Sequence, residues 1–274
     1  MKNTRSYHET VMKLRNFFLD KNFIEVPSQS RLSILAACED PGTVTSFNYD
    51  GIVWPLPQTG QMWLEYELLK NPQEEGFFCI STSYRNEPDP IPGRHDKIFP
   101  MFEFEAKGNL DDMINLEAEL CQYLGFGDPK AITYDAACDK YNTRLLEAEH
   151  EEQLQKDLGN CISLQKFPHR SSPFWNMKRS PEDSKIYNKV DVLLYGMETI
   201  GSAERSCNVE EMITDFHTIS DGGYAALLYD KFGKARVDKE LEEYLALPMI
   251  SRFGGGIGVT RMARALTALK ESNL

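Results

Sequence analysis

The chain lacks any run of about eighteen apolar residues, the least that spans a bilayer as a helix, so no transmembrane segment is expected. Its first residues, MKNTRSYHETVMKLRNFF, carry neither an apolar h-region nor a small-residue cleavage site. That excludes a readable secretory signal and leads to the expectation of a cytoplasmic protein. Positive charge is scarce: 30 Lys and Arg stand against 42 Asp and Glu, a net charge of −12. This balance excludes a charge-driven nucleic-acid binder, whose non-specific affinity comes from cations meeting phosphates. A local basic patch stays open. The six cysteines form no CxxC pair and no zinc-ligand spacing, so they read as free thiols in a reducing compartment. There is no internal repeat, no long Pro/Gly/Ser linker, no Gly-Lys-Ser/Thr phosphate loop and no G-x-S-x-G elbow.

What is present is the composition of a globular chain. Its 274 residues are 41% hydrophobic and 26% charged, enough to bury a core without disulfides. With no linker to divide them, residues 1–274 are expected to form a single domain. Val11, Leu14 and Phe18 give a helical period over 5–20, followed by a short β-rich run, Phe23 to Pro27. Residues 28–60 are turn-rich. A helix is predicted from Gln61 to Lys70, between Gly60 and Asn71-Pro72. Phe77–Tyr84 and Ile98–Ala106 read as strands around a loop, Arg85 to Lys97, that holds three prolines and a glycine. Asn109 is placed to cap a helix with Met113, Leu116, Leu120 and Leu124 on one face. Further on, a helix is predicted over 143–158, a strand over 189–194, a helix over 237–246, a glycine-rich strand end over 253–258 and a terminal helix from Arg261. Strands and helices do not alternate regularly, which favours an α+β fold with an antiparallel sheet over a parallel α/β fold.

Three groups of residues could carry chemistry. Arg85, Glu87, Arg94 and His95, with Phe99 nearby, suit a nucleotide triphosphate: guanidinium forks clamp phosphate oxygens and an aromatic face stacks on a base. A surface ion pair between Arg85 and Glu87, with Phe99 and Phe102 in the core, accounts for the same residues. Asp191, Glu198 and Arg205 follow at seven-residue intervals. Asp191 interrupts the apolar strand Val190 to Leu194, and a near-buried carboxylate must be paired or bind a cation. Magnesium, held by one or two carboxylates plus substrate phosphates, fits Asp191 and Glu198; an Asp191–Arg205 ion pair fits as well. The third group is Phe253-Gly254-Gly255-Gly256-Ile257-Gly258-Val259-Thr260-Arg261, where glycines allow close backbone approach to a flat ligand or simply a tight turn. His8, His150, His169 and His217 lack metal-ligand spacing, and the acidic run from Glu147 to Glu152 reads as a solvated helix face.

In order along the chain, these segments resemble the catalytic domain of class II aminoacyl-tRNA synthetases, most closely the aspartyl/asparaginyl branch. Phe23-Ile24-Glu25-Val26-Pro27 is similar to the first family motif, Arg85-x-Glu87 with Phe99 through Glu105 to the second, and Gly256 through Arg261 to the third. Gln58 through Glu65, Phe174 through Met177 leading to Val190 through Leu193, and Glu198 through Arg205 resemble the same branch. The resemblance implies a six-stranded antiparallel sheet flanked by helices, and a homodimer with Pro27 at its interface. It also implies formation of an aminoacyl-adenylate from ATP with release of pyrophosphate. Carried over, Arg85 binds the α-phosphate, Glu87 the adenine amino group, and Arg94 and His95 the β- and γ-phosphates. Phe99 and Arg261 stack on the adenine, close to the backbone of Gly256 and Gly258. Asp191 and Glu198 hold Mg2+. Glu39, Gln61 and Glu103 contact the ammonium of the amino acid (aspartate or asparagine), and Arg205 its non-activated carboxylate.

Two positions depart from the pattern. Thr260 replaces the acid before the last arginine, and Leu64 stands where aspartyl enzymes carry the lysine that reads the substrate side chain. The tRNA ligases of the branch carry an anticodon-binding barrel before the first motif, which here begins at Phe23. A catalytic domain without that barrel, at this net charge, is poorly equipped to grip tRNA. Ammonia-dependent asparagine synthetases share the fold, lack the barrel, and end in a glycine-rich segment similar to Gly254 through Arg261. The first expectation is therefore aspartate plus ammonia to asparagine, with AMP. The alternatives are a tRNA-ligase-like paralogue that aminoacylates RNA or protein, and an inactive nucleotide-binding regulatory homologue.

Overall fold

The computed structural model describes residues 4–29, 31–34, 41–171 and 173–272. The apolar stripe read at the N-terminus becomes helix α1 (Thr4–Asp20), with Val11, Leu14 and Phe18 buried. It is followed by strand β1 (Ile24–Glu25), the hairpin β2 (Ser46–Tyr49) and β3 (Ile52–Pro55), helix α2 (Gln61–Lys70), and strands β4 (Gly76–Tyr84) and β5 (Ile98–Lys107). The middle of the chain supplies α3 (Leu110–Leu124), β6 (Lys130–Thr133), α4 (Tyr134–Tyr141), α5 (Ala148–Leu158), β7 (Cys161–Pro168), β8 (Ile186–Leu194) and β9 (Glu198–Glu204). The last part holds α6 (Val209–Thr218), α7 (Gly223–Phe232), α8 (Lys234–Leu245), β10 (Arg252–Gly258) and α9 (Val259–Ser272).

The main sheet runs β1-β4-β5-β10-β9-β8-β7-β6. Its six central strands, β4 to β7 in that order, pair antiparallel, as the resemblance implies. The strand count is corrected to eight, because β1 and β6 add parallel edges. Strand β1 lies in the β-rich run read from Phe23 to Pro27, whereas β6, four residues long, shows no periodic pattern of its own. The hairpin β2–β3 turns at Asp50-Gly51, both with positive φ (52° and 75°), the dipeptide and conformation that tight hairpins prefer. The helix predicted over 143–158 begins only at Ala148; Asn142, in a left-handed conformation (φ 50°), ends a separate helix, α4. The Asn109 cap is formed as expected: its side chain accepts from the N–H groups of Asp111 and Asp112, and Asp112 bonds back to Asn109.

Two helical layers cover the sheet. Residues of α1, α3 and α9 pack on one face, where the ring of Phe18 lies 5.0–6.0 Å from those of Phe78, Phe102 and Phe104. On the other face, α2 packs with α6, α7 and α8 through Met62, Tyr66, Met212, Phe216, Leu228 and Tyr244. Helices α4 and α5 cover the far end of that second face, against β7 and Leu193. Between these helices, Gly201 of β9 and Gly256 and Gly258 of β10 line a cleft. Among the described residues no helix is long and apolar enough to cross a membrane. Five cysteines are free, four of them buried, and Cys38 lies outside the described residues.

Glu117 of α3 is buried in the first layer and accepts a hydrogen bond from the Ser202 hydroxyl. Burial, against the pull of Ser202 and with Asp191 adding repulsion, pushes its carboxyl up to about 8. The unfolded carboxyl titrates in its ordinary range near 4.5, so the native state loses stability relative to the unfolded chain as pH rises from there through about 8. Glu117→Gln removes that loss. It is expected to be more stable than the parent at pH 8 by up to about 4 kcal/mol, the difference shrinking toward pH 4.5, in paired urea titrations. Equal pH profiles for the two proteins would show that Glu117 is not the titrating group.

Candidate active site

Strand register decides which residues share the open face. In one row across the sheet, Glu103 of β5 lies opposite Gly256 of β10, Gly256 opposite Gly201 of β9, and Gly201 opposite Asp191 of β8. Directly opposed residues point to the same side. The row therefore presents a carboxylate at each end and two glycines between them. A Cβ on Gly256 would lie 2.6 Å from Met101 Cε and 3.2 Å from Gln61 Nε2, so a side chain there would have to displace the ends of both.

Above the glycines is a cleft of about 260 Å³. Arg85 follows the last residue of β4, and its N–H bonds the Lys97 carbonyl at 2.8 Å, closing the neck of the loop. The Arg85 guanidinium stands over the Phe99 ring, 5.6 Å from its centroid, within cation–π range. Glu87 pairs with His95 Nδ1 at 2.9 Å rather than with Arg85. Phe99 lines the cleft, whereas Phe102 is a core residue. Arg261, in the first turn of α9, donates to the Glu198 carbonyl at 2.8 Å and to the Arg94 carbonyl at 3.5 Å. Arg85, Glu87, Arg94, His95, Phe99, Gln61, Glu198, Gly256, Gly258 and Arg261 thus all line one cleft, with Arg264 as an additional cation.

Three predicted residues lie elsewhere, and one is outside view. Glu103 is fully buried; it accepts from the hydroxyls of Thr59 and Ser81 and from the Gly60 N–H at 2.8 Å, and so anchors the turn before α2. Burial raises its carboxyl above the ordinary range, opposed by those three donors and by Arg85. Arg205, 1% exposed, lies behind Gln61, donating to Glu105 twice at 3.1 Å and to Gln61 Oε1 at 2.7 Å. An Asp191–Arg205 ion pair is not formed: Asp191 Oδ2 accepts from Lys189 at 2.7 Å. Glu39 lies outside the described residues.

Behind the cleft is a charge network whose members Glu65, Glu105, Asn176 and Arg205 fall inside the motif segments, while Arg252 and Tyr244 were marked by no sequence pattern. Glu65 of α2 accepts from Arg252 (Nε 3.1 Å, Nη2 2.8 Å), from the Tyr244 hydroxyl at 2.5 Å and from Asn176 at 2.9 Å. Arg205 joins it at 3.6 Å. Burial works against ionisation of Glu65, but Arg252 and Arg205 outweigh it and hold its carboxyl below the ordinary range. Glu105 is pushed up to about 7 by burial, with Arg205 pulling down and Glu65 pushing up. Gly254 makes room for this cluster, since a Cβ there would overlap the Glu105 carboxylate.

A second cavity, about 300 Å³, adjoins the first at Glu198 and is lined by Tyr134, Phe167, Arg170, Asp191 and Glu151. Glu151 corrects the solvated-face reading of the acidic run: its Oε2 takes a hydrogen bond from Arg94 and another from the Glu198 N–H at 3.0 Å. Asp191 is buried with no hydrogen-bond partner at Oδ1. Burial, with Lys189 opposing and Glu198 and Glu151 repelling, pushes its carboxyl up to about 7. Among the described residues no three His, Cys, Asp or Glu side chains form a complete metal cage.

The family described as tRNA synthetases class II (D, K and N) matches residues 1–272. The chain belongs to this family. Solved structures similar in fold include asparaginyl-tRNA synthetase from Pyrococcus horikoshii complexed with asparaginyl-adenylate (TM-score 0.79, 18% identity, 97% of this chain and 65% of that one). The Entamoeba histolytica asparaginyl-tRNA synthetase with asparaginyl-adenylate gives 0.77 at 18% identity, covering 96% of this chain and 63% of that one. A putative aspartyl-tRNA synthetase from Leishmania major Friedlin gives 0.75 at 15%, covering 97% and 62%. The chain thus spans a little under two thirds of these proteins' length. A search among curated proteins gave no match.

If the buried network holds α2 in place, Glu65→Ala leaves Arg252 without its carboxylate. The expected cost is about 3–5 kcal/mol, read as a lower urea midpoint. An unchanged midpoint would remove the network from the account of stability.

Proposed function

We propose that this protein activates an amino acid with ATP, forming an aminoacyl-adenylate and releasing pyrophosphate, as an AMP-forming ligase. The observation that carries the reading is the cleft itself. In a chain of net charge −12, Arg85, Arg94, His95, Arg261 and Arg264 converge over a glycine floor beside the Phe99 ring. A flat base between Phe99 and Arg261 and a phosphate chain toward Arg94 and His95 satisfy both the shape and the charge. Arg85 is assigned the α-phosphate and Glu87 the adenine amino group. Gln61 is assigned the amino-acid ammonium, with Glu103 steadying that end of the cleft. A substrate carboxylate meets Arg205 when Gln61 turns aside.

A carboxylate oxygen of the amino acid attacks the α-phosphorus, and the bond to pyrophosphate breaks. Charge neutralisation and positioning carry this step, with no covalent protein chemistry. Asp191 and Glu198 fit Mg2+: hard oxygens, one without a partner, in mutual repulsion that a cation relieves. When bound, the ion neutralises phosphate charge.

For the finer reading, aspartate is the amino acid and ammonia the acceptor. Ammonia attacks the β-carbonyl of the adenylate, AMP leaves, and asparagine forms. The similarity of Gly254 through Arg261 to asparagine synthetases supports this. A homodimer belongs to the same reading, covering the edge strand where Ile24 is exposed. A second reading, transfer to RNA or a protein side chain, is favoured by the structural likeness to the asparaginyl-tRNA synthetases.

Incubation with ATP, magnesium and aspartate, with and without ammonium, is expected to give asparagine and AMP together only when ammonium is present, by mass spectrometry. Arg85→Ala is expected to cut AMP formation about 10²–10³-fold. AMP formation indifferent to ammonium would discard the ammonia reading, and salt-sensitive tRNA binding would favour the second. No AMP with any amino acid, while ATP still binds, would leave a regulatory homologue. Gln61→Ala is expected to raise KM for the amino acid far more than KM for ATP in pyrophosphate exchange.

A further inference from the structure

We propose that Glu151 is a positioning residue for the triphosphate end of the cleft, an inference that rests on the ATP reading above. One oxygen of Glu151, on α5, holds two segments that do not otherwise pair in the sheet. It accepts from the Arg94 guanidinium at the tip of the 85–97 loop and from the Glu198 N–H at the start of β9. Arg261 closes the ring, donating to the carbonyls of Glu198 and Arg94. Loop, α5, β9 and α9 are thereby tied through one carboxylate, that of Glu151, and two guanidinium groups, those of Arg94 and Arg261.

The loop needs such a tie. It carries three prolines, which cannot donate backbone hydrogen bonds, and its inner turn rests on the Arg94 and His95 N–H groups bonding the Ile91 carbonyl. The side chains of Arg94 and Glu151 are only 12% and 17% exposed, so their ion pair is shielded enough to hold a geometry. Arg94 uses Nη2 toward Glu151. A guanidinium has five N–H donors in a rigid fork, so others remain for phosphate oxygens. Glu151 therefore aims Arg94 into the cleft, and fixes the backbone of Glu198, before the nucleotide arrives. It touches no substrate itself.

The test is pyrophosphate exchange together with ATP binding by calorimetry. Glu151→Ala is expected to raise KM and Kd for ATP about 10- to 100-fold, the loss of one charge-assisted hydrogen-bond junction, with kcat and the amino-acid KM changed far less. Glu151→Gln keeps an acceptor oxygen and is expected to recover part of the loss, and it decides the matter if the alanine variant does not fold. In the ligand-free protein, the Glu198 amide and residues 86–97 are expected to exchange hydrogen faster in Glu151→Ala. Unchanged ATP affinity and unchanged exchange would overturn the inference. So would a defect erased by raising magnesium, which would make Glu151 a metal ligand instead. If the parent protein binds ATP but activates no amino acid, the proposed function falls, while the ATP affinities still judge Glu151. No ATP binding at all would sink both.

Discussion

Four charged side chains sealed from water, Glu65, Glu105, Arg205 and Arg252, fix helix α2 against the sheet. A charge taken out of water costs several kcal/mol unless it is paired and hydrogen-bonded, so each of the four restricts where the others stand. The arrangement also orders the cleft. Gln61 lies one helical turn before Glu65, so the contact that anchors Glu65 to Arg252 also brings Gln61 against Arg205 and over Gly256. Gly254 belongs to the same constraint, because only a residue without Cβ leaves room for Glu105.

The cleft inverts the charge of its surroundings. A strongly acidic chain concentrates arginines where β10 runs into α9 and where the 85–97 loop folds back. Although Glu87, Asp96 and Glu198 also line it, the four arginines outnumber these carboxylates, and a recess with an excess of positive charge favours an anion over the bulk surface. Next to it, Asp191, Glu198 and Glu151 form the opposite field, balanced in the protein by Lys189 and Arg94. The junction between the two fields falls at Glu198, which lines both cavities.

Much of this was legible in the residues. The strand-loop-strand from Phe77 to Ala106, the Asn109 cap and the helix beginning near Arg261 follow from period, proline and cap chemistry acting within a few residues. Ten of the residues named from the family motifs line one cleft. The Asp50-Gly51 hairpin also carried its signal, but inside a stretch whose turns concealed it. Glu151 carried none. In a run of acids it looks like any exposed glutamate, and only the packing of α5 against β7 and β8 turns it inward. Arg252 was equally silent, and Glu65, though it closes the segment from Gln58 that resembles the branch, was not matched to it, since nothing near either residue in the chain names a partner nearly two hundred positions away.

The sequence alone determined the family, the α+β class, the order of the central elements and the types of residue available for phosphate and carboxylate chemistry. These rest on local periodicity and on motifs whose spacing a backbone imposes over short distances. The tertiary structure decided which strands lie side by side and in what register, and therefore that Glu103, Gly256, Gly201 and Asp191 form one row. It decided too that Arg205 is held behind Gln61 rather than open to solvent. Both outcomes depend on contacts between residues far apart in the chain, where burial makes each polar group find the one partner that satisfies it.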